Sequence, residues 1–314
     1  MSKIYKATIE VVTPVHIGVF DFDYFSFFQK EGYLYVIDWV KVFRHKTLFD
    51  NLKLILDKQF DNEEEWFNYY KNEFIERYKE EIIKNNLITE RIKINKGLNK
   101  EITSFHRNLK FHIRYFDFEK GKYIPYLPGS SIKGVLGEIF QLSKEDAEKL
   151  LVSDFYQENE EERTEIMEAQ RYHYLKLSYR GPKNLIEAFV PGTRFIGEIK
   201  VLDENRLFFD YRKIFYYVKN NNKKYFDILF KENKEINDYI DKISQNKIFF
   251  LLGFGVGRDS YIVKKRDYQP KKTILVEKET KTKYIEKETK TKYKVLFNDK
   301  KMPLGLVVMS LEDK

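Results

Sequence analysis

The sequence predicts an α+β fold assembled from two split βαβ units of ferredoxin-like type with helical insertions. Three observations carry that expectation. Apolar and polar residues alternate at 3–12 and 194–202, the period of half-buried strands. Across 57–86 apolar residues instead recur every three or four positions, the period of a helix. The resulting order, strand, helices, strand and then strand, helix, strand, fits α+β better than a regularly alternating parallel arrangement.

The elements follow in chain order. In the first strand Tyr5, Ala7, Ile9 and Val11 share one face, and Lys6, Thr8 and Glu10 the other. It ends at Thr13-Pro14-Val15-His16-Ile17-Gly18, where proline and glycine punctuate. A second strand near 33–38 follows the Glu31-Gly32 turn. Phe67, Tyr70, Phe74, Tyr78 and Ile82 then stand among Glu, Lys and Asn, so this stretch, about 57–100, reads as a helical insertion packed on a sheet. Strand-like residues 110–118 lead through Gly121 to 126–134. Behind them Ile132, Val135, Leu136, Ile139 and Phe140 mark one apolar helix face, with Ser130 or Ser131 as its expected N-cap. Ser143 followed by Asp146 reads as a capping box opening a short second helix. After the strand at 194–202, residues 223–247 read as mostly helical, and 249–252 as a buried strand running into Gly253-Phe254-Gly255-Val256-Gly257-Arg258. No Pro/Gly/Ser linker divides the chain. The expected division falls near 165, giving a unit 1–165 that carries the insertion and a unit 166–314.

One internal repeat stands out: EKETKTKYI at 277–285 and EKETKTKYK at 286–294. Both strand faces would be polar, so the segment buries nothing and is expected to be an exposed hairpin or a disordered loop.

Composition excludes several classes. The chain has 314 residues and no cysteine, which removes disulfide scaffolds, Cys-ligated zinc, iron–sulfur clusters and thiol catalysis. No apolar run approaches the roughly 18 residues that cross a bilayer, and the opening residues lack a signal-peptide core. A cytoplasmic protein without membrane contact is expected. Lys+Arg number 57 against 49 Asp+Glu, a net charge of +8, and aromatics make up 17%. Cations and flat rings suit nucleic acid. The excess of Lys, with abundant Ile, Asn, Tyr and Phe, is equally what A/T-rich codons produce, so composition leaves the question open.

The motifs narrow it. The 253–257 glycines have G-x-G-x-G spacing and continue into strand-like residues, so they are not a dinucleotide fingerprint. No Gly-Lys-Ser/Thr occurs. Alternate glycines still expose backbone N–H groups that can hold an anion, with Arg258 adding a fork-shaped charge, or they simply make a tight turn. Gly129, Ser130, Ser131 and Lys133 stand where a turn meets a helix N-terminus, which suits phosphate or else mere capping. The five histidines, His16, His45, His106, His112 and His173, lack metal-ligand spacing, and nothing calls for a cofactor, a metal or a small-molecule substrate. His16, at the first strand's end, is either structural or a general base for metal-independent RNA cleavage.

Taken together, TPVHIG (13–18), YLPGSSIKGVLGEIF (126–140), VSDF (152–155) and LGFGVGR (252–258) resemble the RAMP superfamily of CRISPR-associated proteins. With YVID (35–38) and MPLGLV (302–307) the set resembles the fifth-subunit family of Csm (type III-A) effector complexes. That resemblance implies RRM-like ferredoxin folds and a non-catalytic place in a ribonucleoprotein. The partners it implies are the guide CRISPR RNA and other Csm subunits, chiefly the adjacent backbone subunit. The chain would cap the filament at the guide's 3′ side and aid guide maturation; the alternative is a RAMP endoribonuclease acting on repeat RNA. His16, Gly18, Gly129, Ser130, Ser131, Lys133, Gly253, Gly255, Gly257 and Arg258 become the expected RNA contacts, Arg107 and Arg114 weaker ones. One departure matters: Gly137 stands where the family commonly carries Arg, removing a cation and costing roughly 1 kcal/mol of helix stability against Ala.

Overall fold

The computed structural model describes residues 2–18, 26–98, 102, 109–140, 142–159, 163–173, 178–202, 234, 236, 238, 247–253, 293–297 and 302–314. The chain begins with β1 (Lys3–Val11), β2 (Phe27–Lys30) and β3 (Tyr33–Ile37), followed by helices α1 (Trp39–Arg44), α2 (Lys46–Leu56) and α3 (Glu63–Tyr70). A π-helical stretch, Lys71–Glu76, joins α3 to α4 (Arg77–Lys84). Next come β4 (Ile88–Ile94), the hairpin β5 (Arg114–Asp117) and β6 (Lys122–Pro125), α5 (Gly129–Phe140), α6 (Lys144–Glu148), β7 (Leu150–Val152) and β8 (Tyr156–Gln157). The remainder is strand among the described elements: β9 (Thr164–His173), β10 (Ser178–Phe189), β11 (Arg194–Val201), β12 (Lys247–Leu251), β13 (Tyr293–Phe297), β14 (Met302–Pro303) and β15 (Leu306–Asp313). The fold is α+β, as expected.

Two large sheets organise it. The first has the order β12-β15-β1-β11-β7, with β8 also on β11. Its pairs are antiparallel, and Ala7 lies opposite both Gly197 and Leu311. The β1 alternation predicted from sequence is observed, with Ala7, Ile9 and Val11 buried. They meet Ile132, Val135 and Leu136 of α5 in one core with β11, β12 and β15.

The second sheet runs β14-β13-β9-β4-β3-β2, with β10 on β9. Strand β3 is apolar on both faces: Tyr35 and Ile37 face the helices, while Leu34 and Val36 face Ile92, Ile166 and Phe111. Its continuous YLYVI run reflects this double burial. The predicted helical stripe is real. Phe67, Tyr70, Phe74, Tyr78 and Ile82 are buried together against β3. Helix begins earlier than the stripe suggested, at Trp39, because Asp38 Oδ1 accepts from Lys41 N–H (3.1 Å) and caps α1. Residues 88–94, counted with the insertion, are instead a strand between β3 and β9. Both sheets take strands from either side of residue 165. Of the expected helix 223–247, residues 234, 236 and 238 are described and helical, and Lys247 instead opens β12. The rest of it and most of the repeat 277–294 lie outside the described residues, while Tyr293 and Lys294 belong to β13.

Candidate functional site

Segments far apart in sequence meet at residues 13–18. Leu306 N–H donates to Thr13 Oγ1 (2.8 Å), and the N–H groups of Val12 and Thr13 donate to the Leu306 carbonyl (2.9 and 3.0 Å). Gly305 N–H donates to the Pro14 carbonyl (2.9 Å), and Leu252 N–H to the Gly305 carbonyl (2.7 Å). Gly253 follows with φ +89, and a Cβ there would overlap the His16 carbonyl oxygen and press on Ile17. Both the left-handed conformation and the close approach demand glycine. Residues 13–18, 252–253 and 305–306 are thus one structural unit.

His16 points inward. It is 0% exposed, and its Nδ1 donates to the Glu187 carbonyl (2.7 Å). His112, also fully buried, accepts from Ile17 N–H at Nδ1 (3.2 Å), which leaves the proton on Nε2 to donate to the Val15 carbonyl (2.9 Å). The two rings lie 5.0 Å apart. Burial pushes the His16 imidazole down to about 4. Burial, helped by the Arg114 charge, holds His112 well below the usual imidazole range. Both rings are neutral at pH 7, and both hold backbone.

Beside them lies a buried ionic network. Arg114 donates from Nε to Glu90 Oε1 (2.8 Å), from Nη2 to Glu187 Oε1 (2.6 Å) and from Nη1 to the His112 carbonyl (2.8 Å). His112 N–H donates to Glu187 Oε2 (2.9 Å). Burial alone would lower the guanidinium's pKa, but Glu187 and Glu90 outweigh it and keep the charge. With its side chain 1% exposed, Arg114 spends its donors inside the protein and presents none to a phosphate. The network ties β4, β5 and β10 to the 13–18 segment.

The serine-lysine segment is built differently. Leu127 and Phe155 exchange backbone hydrogen bonds (3.0 and 2.9 Å), aligning 126–129 with 152–155. Helix α5 starts at Gly129, before either serine, and the Pro128 carbonyl accepts from Ser131 N–H (3.0 Å). Gly129 N–H donates to Asp154 Oδ1 (2.8 Å). The cap therefore comes from Asp154 across the chain and not from Ser130 or Ser131. A Cβ on Gly129 would overlap the Val152 and Ser153 carbonyl oxygens. Ser130 is exposed, and Ser131 and Lys133 are partly so, while Ile132 and Leu136 reach into the core. The Asp154 carboxylate already offsets the positive end of the helix.

The two regions adjoin. Ile113 N–H donates to the Ile17 carbonyl (3.1 Å), and Tyr126 N–H to the Ile113 carbonyl (3.4 Å). Exposed Gly18 sits beside Ile113, and Gly253 borders His16 and Ile17. Gly255, Gly257, Arg258 and Arg107 lie outside the described residues. The roles of Asp154, Glu187 and His112 were not read from sequence. One signal was available for Glu187, a lone charge in Leu185-Ile186-Glu187-Ala188-Phe189, since a charge in an apolar strand must be paired. Among the described residues no group of three or more His, Cys, Asp or Glu could hold a metal, and no helix is long and apolar enough to cross a membrane.

Comparison with known proteins places this arrangement. The family model of the RAMP superfamily matches residues 8–306. No curated protein matches the sequence. A chain in the cryo-EM structure of a Csm–crRNA–target RNA ternary complex of a type III-A CRISPR-Cas system superposes with a TM-score of 0.63 at 14% identity, covering 98% of this chain and 100% of that one. The crystal structure of T. onnurineus Csm5 gives a TM-score of 0.58 at 14% identity, covering 96% and 99%. At this identity the likeness is one of fold.

Proposed function

The chain belongs to the RAMP superfamily, and from that premise we propose that it is a non-catalytic, RNA-binding structural subunit of a type III-A CRISPR interference complex. Its role is to cap the filament of backbone subunits at the 3′ side of the guide RNA and to aid guide maturation. One observation carries this reading most: the fold matches a chain of a type III-A Csm complex over almost the full length of both. The sheet order supports a ferredoxin-like unit, because β11 lies between β1 and β7, antiparallel to both, with α5 on the path between those two strands.

Ser130, Ser131 and Lys133, partly or fully exposed at a helix start, are the described groups best placed for guide phosphates. Backbone contacts of that kind carry no base code, so low sequence preference follows. The buried side chain of His16 supports the non-catalytic reading, since a ribose hydroxyl has no route to a ring that is 0% exposed. His16 then serves the RNA only by shaping the loop that ends at Gly18. Gly253, which borders His16 and Ile17, completes the proposed contact together with Gly255, Gly257 and Arg258.

Co-expression of guide RNA with the partner Csm subunits, with and without this chain, tests the proposal. The capped complex should carry guides of uniform 3′ end, and its omission should leave an uncapped complex with heterogeneous ends. Identical complexes and guide ends in both preparations would overturn it. Metal-free cleavage of repeat RNA by the purified chain, abolished in His16→Ala, would favour the endoribonuclease instead.

A further inference from the structure

The β5–β6 hairpin carries rings on both faces, and they are treated very differently. On one face Tyr115 packs edge-on against Tyr126 (5.8 Å) and Tyr156 (5.2 Å). Together with the buried Arg114 network, this fixes the hairpin to the body beside the start of α5. On the other face Phe116 packs edge-on against Phe118 (5.0 Å) and Tyr123 (5.1 Å). There Phe118 is 89% exposed and Phe116 39%. The turn between the strands is itself ordered, with Asp117 Oδ1 accepting from Glu119 and Lys120 N–H (3.0 and 3.1 Å).

We propose that Phe116, Phe118 and Tyr123 form a stacking platform for an unpaired base of single-stranded RNA. An almost fully exposed phenylalanine on a braced hairpin leaves a flat apolar face in water, which a base covers well. Three rings supply a few hundred Å² at most, short of the roughly 800 Å² per partner that a stable protein interface needs. A single base needs far less. The charges near the tip are balanced, Asp117 and Glu119 against Lys120 and Lys122, so the platform binds by ring contact and not by long-range attraction. Strand β6 runs through Pro125 directly into Tyr126 and Gly129. The same short stretch of chain therefore carries the platform and, a few residues further on, the proposed Ser130–Lys133 phosphate contacts.

The proposal rests on the RNA-binding reading above, and the test separates the two. The full chain is titrated with a 12-nucleotide single-stranded RNA carrying 2-aminopurine, whose fluorescence is quenched on stacking. Phe118→Ala should bind about tenfold more weakly and lose the quench, while its salt dependence stays that of the wild type. Phe118→Trp should retain both affinity and quench. Because Phe118 is exposed, both variants should melt like the wild type. Wild-type affinity and quench in Phe118→Ala would overturn the platform and leave RNA binding standing. Unchanged RNA binding together with altered self-association in sedimentation would overturn it in favour of a protein contact. No RNA binding by the wild-type chain would overturn the underlying reading and the platform with it.

Discussion

The segments 13–18 and 126–133 look alike in sequence: each joins proline and glycine to a polar side chain that reads as an RNA contact. In the fold they face opposite ways. His16 turns into the core and spends its ring on the Glu187 carbonyl, whereas Ser130 and Lys133 stay at the surface. The first segment is architecture that brings residues 252–253 and 305–306 together. The second keeps polar groups at a helix start after Asp154 has met the local capping need. The difference teaches that a motif's polar residue can serve folding as fully as binding, and that burial decides which.

The contrast breaks most visibly at the ionic network. Arg114→Leu leaves Glu90 and Glu187 buried without their cation, and should cost about 3–5 kcal/mol in urea unfolding. A loss under about 1 kcal/mol would mean that the network is not the closed unit described. Protonation gives the next largest effect. His16 titrates near 6.5 when unfolded and at about 4 when folded. Its contribution is therefore complete above pH 6.5 and is lost as pH falls toward 4, because the unfolded chain takes up the proton first. Unfolding at pH 7.5 and 4.5 should show about 2–3 kcal/mol of loss from this group, and His16→Asn should lack that part of the slope. Equal pH dependence in the two proteins would contradict the buried neutral ring.

These residues also mark how far the sequence could be read. Alternation at 3–11 and 194–201 gave the central strands, and the Phe67–Ile82 stripe gave the helices, because periodicity is local. Ser143 was legible as a cap for the same reason: its partner Asp146 lies three residues away, and Ser143 Oγ accepts from its N–H (3.1 Å). Gly129 is capped from residue 154, a pairing that no local pattern reveals, so Ser130 and Ser131 were credited with the cap. Arg114 looked like one more basic residue, since a charge's direction depends on Glu90 and Glu187, 24 and 73 positions away. The candidate site was legible in its motifs and not in the inward turn of His16.

A smaller effect separates capping from binding. Asp154→Ala should destabilise by about 1 kcal/mol through loss of the Gly129 cap, yet tighten RNA binding, because it removes a negative charge beside the proposed phosphate contact. Weaker RNA binding in a folded Asp154→Ala would place the RNA elsewhere.

Lys133→Ala should change stability least, within about 0.5 kcal/mol, and it probes the central claim most directly. The measurement is the affinity of wild type and Lys133→Ala for single-stranded guide RNA across a salt series. If Lys133 holds a phosphate, the variant binds more weakly at moderate salt and its log–log salt slope is shallower by about 0.7. Superimposable salt curves for the two proteins would contradict the account.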